Sequence, residues 1–334
     1  MKSNPLSELT ISGKGVTKRL RSRVIQSPLA GVSDLIFRKL VRRWAPDALL
    51  FTEMVSASSL ERGHGTSKIE DLSKEKGPIG VQLFDHRPES MVKAAIQAEA
   101  NGAFLIDINM GCPVKKIARK GGGSGLLKEP ELAERIVNMV ANAVQIPITV
   151  KARLSSDKDK PSDPVNFALR MQNAGAQMLT VHGRTREQGF SGSADWVSIS
   201  KIKSALTIPV IANGDIQSAD DALRCLAITR ADGVMVGRGS MGAPWLVGQI
   251  DCVLQGRCPF KTPGAYERVA LALEQLQQLL EIKGDHGLLI ARKHMAWTCK
   301  GFPESNNLKN DLVRAKTPEK AISLLKKQLE LMRE

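Results

Sequence analysis

No run in the chain approaches the roughly 18 apolar residues of a membrane span, and Met1 to Arg23 lacks the apolar centre of a signal peptide. A soluble, cytoplasmic protein is expected. Cysteine is sparse and scattered: Cys112, Cys225, Cys252, Cys258 and Cys299 form no Cys-x-x-Cys pair. An odd, dispersed set of five argues against a disulfide framework, a zinc site or an iron–sulfur cluster, so no metal is expected. Aromatic residues make up 4% of the chain, which excludes stacking of many bases along a single strand. Acidic residues are also short, 34 against 48 basic, for a net charge of +14. A field of that sign exceeds what solubility needs and favours a polyanionic partner, in the first place nucleic acid. Lys14 to Arg43 holds nine basic residues with only Asp34 against them, and residues 245–334 hold 14 basic and 10 acidic residues.

What is present is a rhythm. Residues 1–23 read as a polar, irregular lead-in, and Ile11-Ser-Gly-Lys-Gly15 lacks the spacing of a phosphate-binding P-loop. From Val24 onward, short apolar or β-branched runs end in polar or glycine tips: Val24–Ala30, Ala48–Met54, Pro78–Phe84, Phe104–Cys112, Pro147–Leu154, Met178–Arg184, Pro209–Asp215 and Gly233–Gly239. Helical periodicity separates them, most clearly over Pro88–Ala100, Pro130–Val144, Ala219–Ile228 and Ala243–Leu254. Eight alternations of buried strand and helix between residues 24 and 256 predict a closed parallel (β/α)8 barrel, the TIM barrel. An open doubly wound sheet would want a Gly-x-Gly-x-x-Gly turn after the first strand, and Pro28-Leu-Ala-Gly-Val-Ser33 supplies none. After Gly256 the rhythm stops. Pro259, Pro263 and Gly264 mark a linker, and residues 257–334 read as a small helical bundle built from about Ala265–Ile282, Leu288–Cys299, Ser305–Arg314 and Pro318–Met332.

Chemistry in such a barrel sits at the strand tips, where eight loops converge. The stretch Phe104 to Pro113 organises them: a buried strand carrying Asp107 and Asn109 on one side, then Cys112 displayed on a stiff bend between Gly111 and Pro113. Strand one ends in Pro28, Leu29 and Ala30, small residues that leave backbone amides open to a flat ligand. Strand three offers Gln82, strand five Lys151 and Arg153, and strand six His182 and Arg184. The glycine-rich tips Asn213-Gly214-Asp215 and Gly237-Arg238-Gly239, after strands seven and eight, suit a phosphate held by backbone amides and an arginine. Lys151 inside Ile148-Thr-Val-Lys-Ala is poorly placed for an idle charge. Asp107 reads as structural, tying down a neighbouring amide or side chain. His294 reads as RNA-facing or structural, and Asp157 to Lys160 as a solvated loop. A planar cofactor with a phosphate, a cation and an imidazole near its ring, and an acid across from its face, fits this set, and flavin mononucleotide is such a molecule.

Asp107-Ile-Asn-Met-Gly-Cys-Pro113, Thr180-Val-His-Gly-Arg-Thr-Arg186, Pro209-Val-Ile-Ala-Asn-Gly-Asp215, Val234-Met-Val-Gly-Arg238 and Ala291-Arg-Lys-His294, taken in this order, resemble the tRNA-dihydrouridine synthases, and within them the bacterial B-type branch. The resemblance runs from about Val24 to the C-terminus. It implies an FMN-binding barrel, a helical domain gripping tRNA and NADPH as reductant; a monomer is expected. It places FMN contacts on Pro28, Leu29, Ala30, Gln82, Lys151, Asn213, Gly214, Asp215, Gly237 and Arg238, with His182 beside the ring. It places the proton donor on Cys112 and a uracil contact on Asn109, and Arg184, Arg292 and Lys293 are taken with the substrate. The chain departs from the pattern at Leu29, where the family often has Met, in the loop Leu154-Ser-Ser-Asp157, and in Gly121-Gly122-Gly123 after Cys112. The implied reaction reduces the C5–C6 bond of a tRNA uridine flipped into the barrel mouth, with Lys115, Lys116, Arg119 and Lys120 holding phosphates while the glycine-rich loop closes. Two rivals remain at this level. An FMN barrel acting on a free pyrimidine leaves the +14 charge unexplained, and a flavin-fold RNA-binding protein without turnover leaves Cys112 and Lys151 unexplained.

Overall fold

The computed structural model describes residues 8–70, 72–157, 163–303 and 305–333. The described part of the lead-in is not irregular. Leu9-Thr-Ile-Ser12 (β1) alternates buried and exposed residues, pairs antiparallel with Thr17–Leu20 (β2), and turns through Gly13-Lys-Gly15. Leu9, Ile11 and Leu20 pack against Ile25, Leu49, Phe51, Leu105, Met178 and Ile211 of the barrel strands, with Leu49, Leu105 and Met178 the first residues of theirs. The hairpin is thus a plug in the barrel floor. Burying each such aliphatic side chain stabilises the fold by about 1.5–3 kcal/mol.

The barrel strands are β3 (Val24–Gln26), β4 (Leu49–Phe51), β6 (Ile79–Phe84), β7 (Leu105–Met110), β8 (Ile148–Arg153), β9 (Met178–His182), β10 (Val210–Asn213) and β11 (Gly233–Val236); a short β5 (Val55–Ser56) adds to β6. All neighbours are parallel, and the β4–β6 pairing closes the ring into an eight-stranded barrel. The observed strands are shorter than the apolar runs because each run's polar end has left the sheet and become a loop. The register aligns Gln82 with Asp107, Asp107 with Thr149, and Asn109 with Lys151.

Helices α1 (Leu35–Trp44), α2 (Ala57–Leu60), α3 (Pro88–Ala100), α4 (Lys115–Ala118), α5 (Pro130–Ala143), α6 (Pro164–Asn173), α7 (Trp196–Ala205), α8 (Ala219–Thr229) and α9 (Trp245–Leu254) connect the strands. Their starts follow local chemistry. Asp34, Asp163, Asp195 and Ser218 accept from backbone N–H groups at N-caps, and proline occupies the first turn of α3, α5 and α6. Helix α1 also revises the reading of the basic Lys14–Arg43 segment. Arg38 pairs with Glu75, Arg42 donates to the carbonyls of Pro46, Ala48 and Pro78, Arg43 pairs with Glu274, and Arg23 donates to Asp232 O. Arg23, Arg38 and Arg42 are thus committed inside the protein, whereas the Arg43–Glu274 pair is at the surface and Lys14, Arg19, Arg21 and Lys39 are exposed.

The chain ends in α10 (Ala265–Lys283), α11 (His286–Thr298), α12 (Ser305–Arg314) and α13 (Pro318–Leu331). Val269, Leu276, Leu279, Leu288, Met295, Leu312 and Leu325 form the bundle's core, and Ile36 of α1 is buried with them. Among the described residues no helix is long and apolar enough to cross a membrane.

Candidate active site at the barrel mouth

One cleft of about 290 Å³ lies at the C-terminal ends of the strands. Pro28, Leu29, Ala30, Gln82, Asn109, Cys112, Lys151, His182, Asn213, Gly214, Asp215, Gly237 and Arg238 all line it. Residues from seven barrel strands or their tips, spread over more than 200 positions of the chain, meet there because the parallel barrel brings every tip to one rim.

The Cys112 side of the cleft is a chain of side-chain hydrogen bonds. Thr149 Oγ1 donates to Asp107 Oδ1 at 2.6 Å, Gln82 Nε2 to Asp107 Oδ2 at 2.7 Å, and Asn109 Nδ2 to Gln82 Oε1 at 2.7 Å. Asn109 Oδ1 in turn accepts from the backbone N–H groups of Gly111, at 3.0 Å, and Cys112, at 2.9 Å. Burial raises the Asp107 carboxyl to about 6, against the donors from Gln82 and Thr149 that hold it down. The thiol of Cys112 is half-buried, and burial lifts it above its ordinary value, so it is protonated at neutral pH.

The loop beyond Cys112 is already folded under it. Ser124 Oγ donates to Cys112 O at 2.7 Å, Gly123 takes φ +56°, and a Cβ there would stand 3.0 Å from that of Cys112. Gly123 therefore serves close packing, as does Gly121, where a Cβ would stand 3.1 Å from that of His86. Lys115, Lys116, Arg119 and Lys120 are exposed on the rim beside it.

Lys151 Nζ donates to Asn213 Oδ1 at 2.9 Å, and Asn213 Nδ2 donates to Met235 O. Burial lowers the Lys151 ammonium to about 8, with Arg153 adding to the effect. At the facing tips, Gly214 takes φ +118°, and a Cβ there would lie 2.9 Å from the His182 ring; Asp215 is one of two non-glycine residues with positive φ among those described. Among the described residues, the N–H groups of Gly214, Asp215 and Gly237 have no protein acceptor. The Arg238 guanidinium stands beside them, 3.5 Å from Asp215 and stacked 4.3 Å over the Phe190 ring.

Several expectations need revision. Arg184 does not line the cleft. It is 1% exposed, donates to both oxygens of Asp215 at 2.7–2.8 Å and to Ser191 O and Gly192 O, and so braces the loop after β9 rather than meeting substrate. At the first tip, the amides of Leu29 and Gly31 are taken by Ser33 Oγ and Glu53 Oε1, leaving fewer open donors than the sequence suggests. His294 is 1% exposed between Phe37 and Trp297, which excludes an RNA-facing role. Arg292 donates to Ala315 O at 2.6 Å and its Nε is buried, so it joins α11 to the end of α12. Lys293 reaches back toward Gly31 and lines a separate groove between α1 and the bundle. Asp157 is half-buried, and the rest of the expected solvated loop, Lys158 to Lys160, lies outside the described residues.

Arg153, offered by the tip of strand five, serves as a brace, and two contributors, Phe190 and Met54, escaped the sequence reading. Arg153 donates to Gly111 O, Thr185 O and Gly189 O, joining the Cys112 turn to the loop after β9. Phe190 stands 55% exposed at the mouth, and Met54 forms part of the wall. The signal for Phe190 was an aromatic isolated between glycines in Gly189-Phe-Ser-Gly192.

His182 illustrates how the surroundings fix a chemical form. Burial, with Lys151, Arg153, Arg184 and Arg238 nearby, lowers its imidazole to about 2. Arg184 Nη1 lies 3.3 Å from Nε2. A guanidinium only donates, so Nε2 accepts and the neutral ring carries its proton on Nδ1.

Fold and cleft together define a (β/α)8 barrel protein with a ligand-sized site, of mixed polar and apolar lining, at the carboxyl ends of its strands. Residues 25–333 match the family model for dihydrouridine synthase (Dus), and the chain belongs to that family. It is 52% identical over 306 residues to a probable tRNA-dihydrouridine synthase 1 of Synechocystis sp., an alignment covering 92% of this chain and 86% of that one. To tRNA-dihydrouridine synthase B of Pasteurella multocida it is 39% identical over 286 residues, 85% of this chain and 86% of the other. Among solved structures, morphinone reductase in complex with tetrahydroNAD resembles the fold with a TM-score of 0.54 at 13% identity, covering 79% of this chain and 93% of that one. Histamine dehydrogenase from Rhizobium sp. 4-9 does so at 0.57 and 12%, covering 81% of this chain, which spans half the length of that protein.

Proposed function

We propose that the protein reduces uridine in tRNA to 5,6-dihydrouridine, with FMN in the barrel, NADPH as reductant and Cys112 as proton donor. The observation that carries this reading is the arrangement of the cleft. A protonated thiol on a fixed turn stands on one side, and acceptor-free backbone N–H groups with an arginine stand on the other.

The residues present suit FMN. A phosphate is matched by the N–H groups of Gly214, Asp215 and Gly237 together with Arg238, where the lack of a side chain at Gly214 and Gly237 permits close approach. The Asp215 carboxylate is already committed to Arg184 and Ala194 N, so its contribution to an anion is its backbone. Lys151 supplies positive charge near the middle of the cleft, and Gln82 presents an amide. When bound, a reduced flavin supplies the hydride. Cys112 delivers the proton to carbon 5 of the uracil, and its raised pKa keeps that proton available at neutral pH. Asn109 and Phe190 border the space for the base. We assign the tRNA body to the basic rim Lys115–Lys120 and to the helical segment from residue 257 onward, with Lys293 on its barrel-facing side.

The test is turnover. Incubation with NADPH and tRNA that lacks dihydrouridine is expected to yield dihydrouridine and a yellow, FMN-bearing protein. Free uridine or uracil is expected to be a poor substrate. Colourless protein that FMN cannot reconstitute, or faster turnover of the free base than of tRNA, overturns the reading.

A further inference from the structure

The hydrogen-bond chain beside Cys112 is constrained from both ends. At one end the ionised Asp107 carboxylate can only accept. At the other, the backbone N–H groups of Gly111 and Cys112 can only donate. Between them stand two side-chain amides, Gln82 and Asn109, each able to turn over and exchange its donor for its acceptor. Only one sense satisfies every link. Gln82 must aim Nε2 at Asp107, and its oxygen then receives Asn109 Nδ2. The Asn109 oxygen is thereby left for the turn, at 3.0 and 2.9 Å from the two amide nitrogens. The sense follows from the two fixed ends, whichever way each amide is drawn.

Asp107 is 0% exposed and does not line the cleft, so it touches neither thiol nor ligand. We infer that Asp107 is a positioning residue that anchors the far end of this relay and so holds the Cys112 turn in its working shape. If the carboxylate is lost, Gln82 Nε2 is left without its acceptor and Gln82 is released, so that Asn109 Nδ2 loses Gln82 Oε1 in turn. Asn109 is then held from the turn side only, and the acceptor it offers Gly111 and Cys112 is no longer fixed.

The inference rests on the proposed role of Cys112 for its activity arm only; the structural arm is independent of it. Amide hydrogen exchange in the full chain reads Gly111 and Cys112 directly. In Asp107→Leu these two amides are expected to exchange at least tenfold faster, while Ile106 and Ile108 in the same strand keep their protection. In Asp107→Asn, protection is expected to stay within about threefold of the parent, because the new carbonyl can face Gln82 while its NH₂ faces the Thr149 hydroxyl, which can accept. Dihydrouridine formation is expected to follow, with kcat falling for the Leu variant, unchanged KM for tRNA, and rescue in the Asn variant. Asp107→Leu with parental exchange at Gly111 and Cys112 overturns the inference, as does an Asn variant as deprotected there as the Leu variant. Uniform loss of protection along the whole strand also overturns it, since that marks a merely structural residue.

Should Asp107→Leu not fold, Gln82→Glu carries the test. A carboxylate there can face Asp107 only by sharing a proton, so protection of the two amides, corrected for intrinsic exchange, is expected to hold at low pH and be lost as pH rises. A pH-independent Gln82→Glu profile overturns the inference. Loss of turnover with the exchange pattern as expected would instead count against the proposed reaction.

Discussion

The two ends of the barrel solve opposite problems with the same strands. At the floor, the strands present Ile25, Leu49, Leu105, Met178 and Ile211, and the β1–β2 hairpin covers them with Leu9, Ile11 and Leu20. Nothing there is directional, and any residues of similar shape would serve. At the mouth, the same strands end in Gln82, Asn109, Lys151, His182 and Asn213, each held by named partners. Stability comes from the indifferent end and chemistry from the specified one. Met235 lies where the two meet, packed in the floor cluster and lining the cleft.

If that division holds, mutations at the two ends separate activity from stability. The largest effect is expected at the mouth. Cys112→Ala should cut dihydrouridine formation by about 10²–10⁴-fold, as loss of a positioned general acid does, with FMN content and melting temperature near the parent values. Parental turnover would reduce Cys112 to a packing residue. The converse is expected at the floor: Ile11→Ala, at a side chain 1% exposed, should cost about 2–5 kcal/mol in denaturant unfolding while FMN affinity stays unchanged. A matching loss of FMN would mean the two ends are coupled. Arg238→Ala should weaken FMN binding by the loss of charge-assisted hydrogen bonds of about 1.5–3 kcal/mol each, read by flavin fluorescence titration, with little change in unfolding.

A fourth measurement uses pH. His182 and His294 are held neutral by burial, at about 2 and about 4 against an ordinary 6.5. Because the unfolded chain takes up protons that the folded chain refuses, their contribution is present above pH 6.5 and lost as pH falls. By pH 5 each should cost about 2 kcal/mol. His182→Gln should flatten the stability profile between pH 6.5 and 5; an unchanged profile would place the acid sensitivity elsewhere. The same depression predicts no inflection in activity from His182 between pH 5 and 8. The smallest effect belongs to the rim. Lys115→Ala with Lys116→Ala should weaken tRNA binding modestly and flatten the slope of log affinity against log salt by about one to two units. Identical slopes would remove these lysines from the RNA footprint.

The barrel was legible because eight β-branched runs each finished in a polar or glycine tip, and tips of parallel strands have nowhere to go but one rim. The cleft's members were legible for the same reason. The hairpin was missed although Leu9-Thr-Ile-Ser12 alternates: four residues are a weak periodic signal, and polar neighbours masked it. Arg184 and Arg292 were misjudged because a charge reads as exposed until its partner is known, and Asp215 and Ala315 lie 31 and 23 residues away. Part of the basic Lys14–Arg43 segment reads likewise: Arg38 finds Glu75, 37 residues on, whereas Lys14, Arg19, Arg21 and Lys39 stay exposed. Phe190 needed the folded loop to bring Arg153 and Arg238 around it.

Among the described residues, a barrel stoppered at its floor opens at its mouth. Under the proposed reaction, nicotinamide and flipped base must reach the same flavin through the mouth, and a tRNA seated across the rim would bar the reductant. The two substrates would therefore take turns. Initial-rate plots against tRNA at several NADPH concentrations should run parallel, and excess tRNA should slow flavin reduction in stopped flow. The hairpin, far from any reacting atom, would thereby dictate the order of visits.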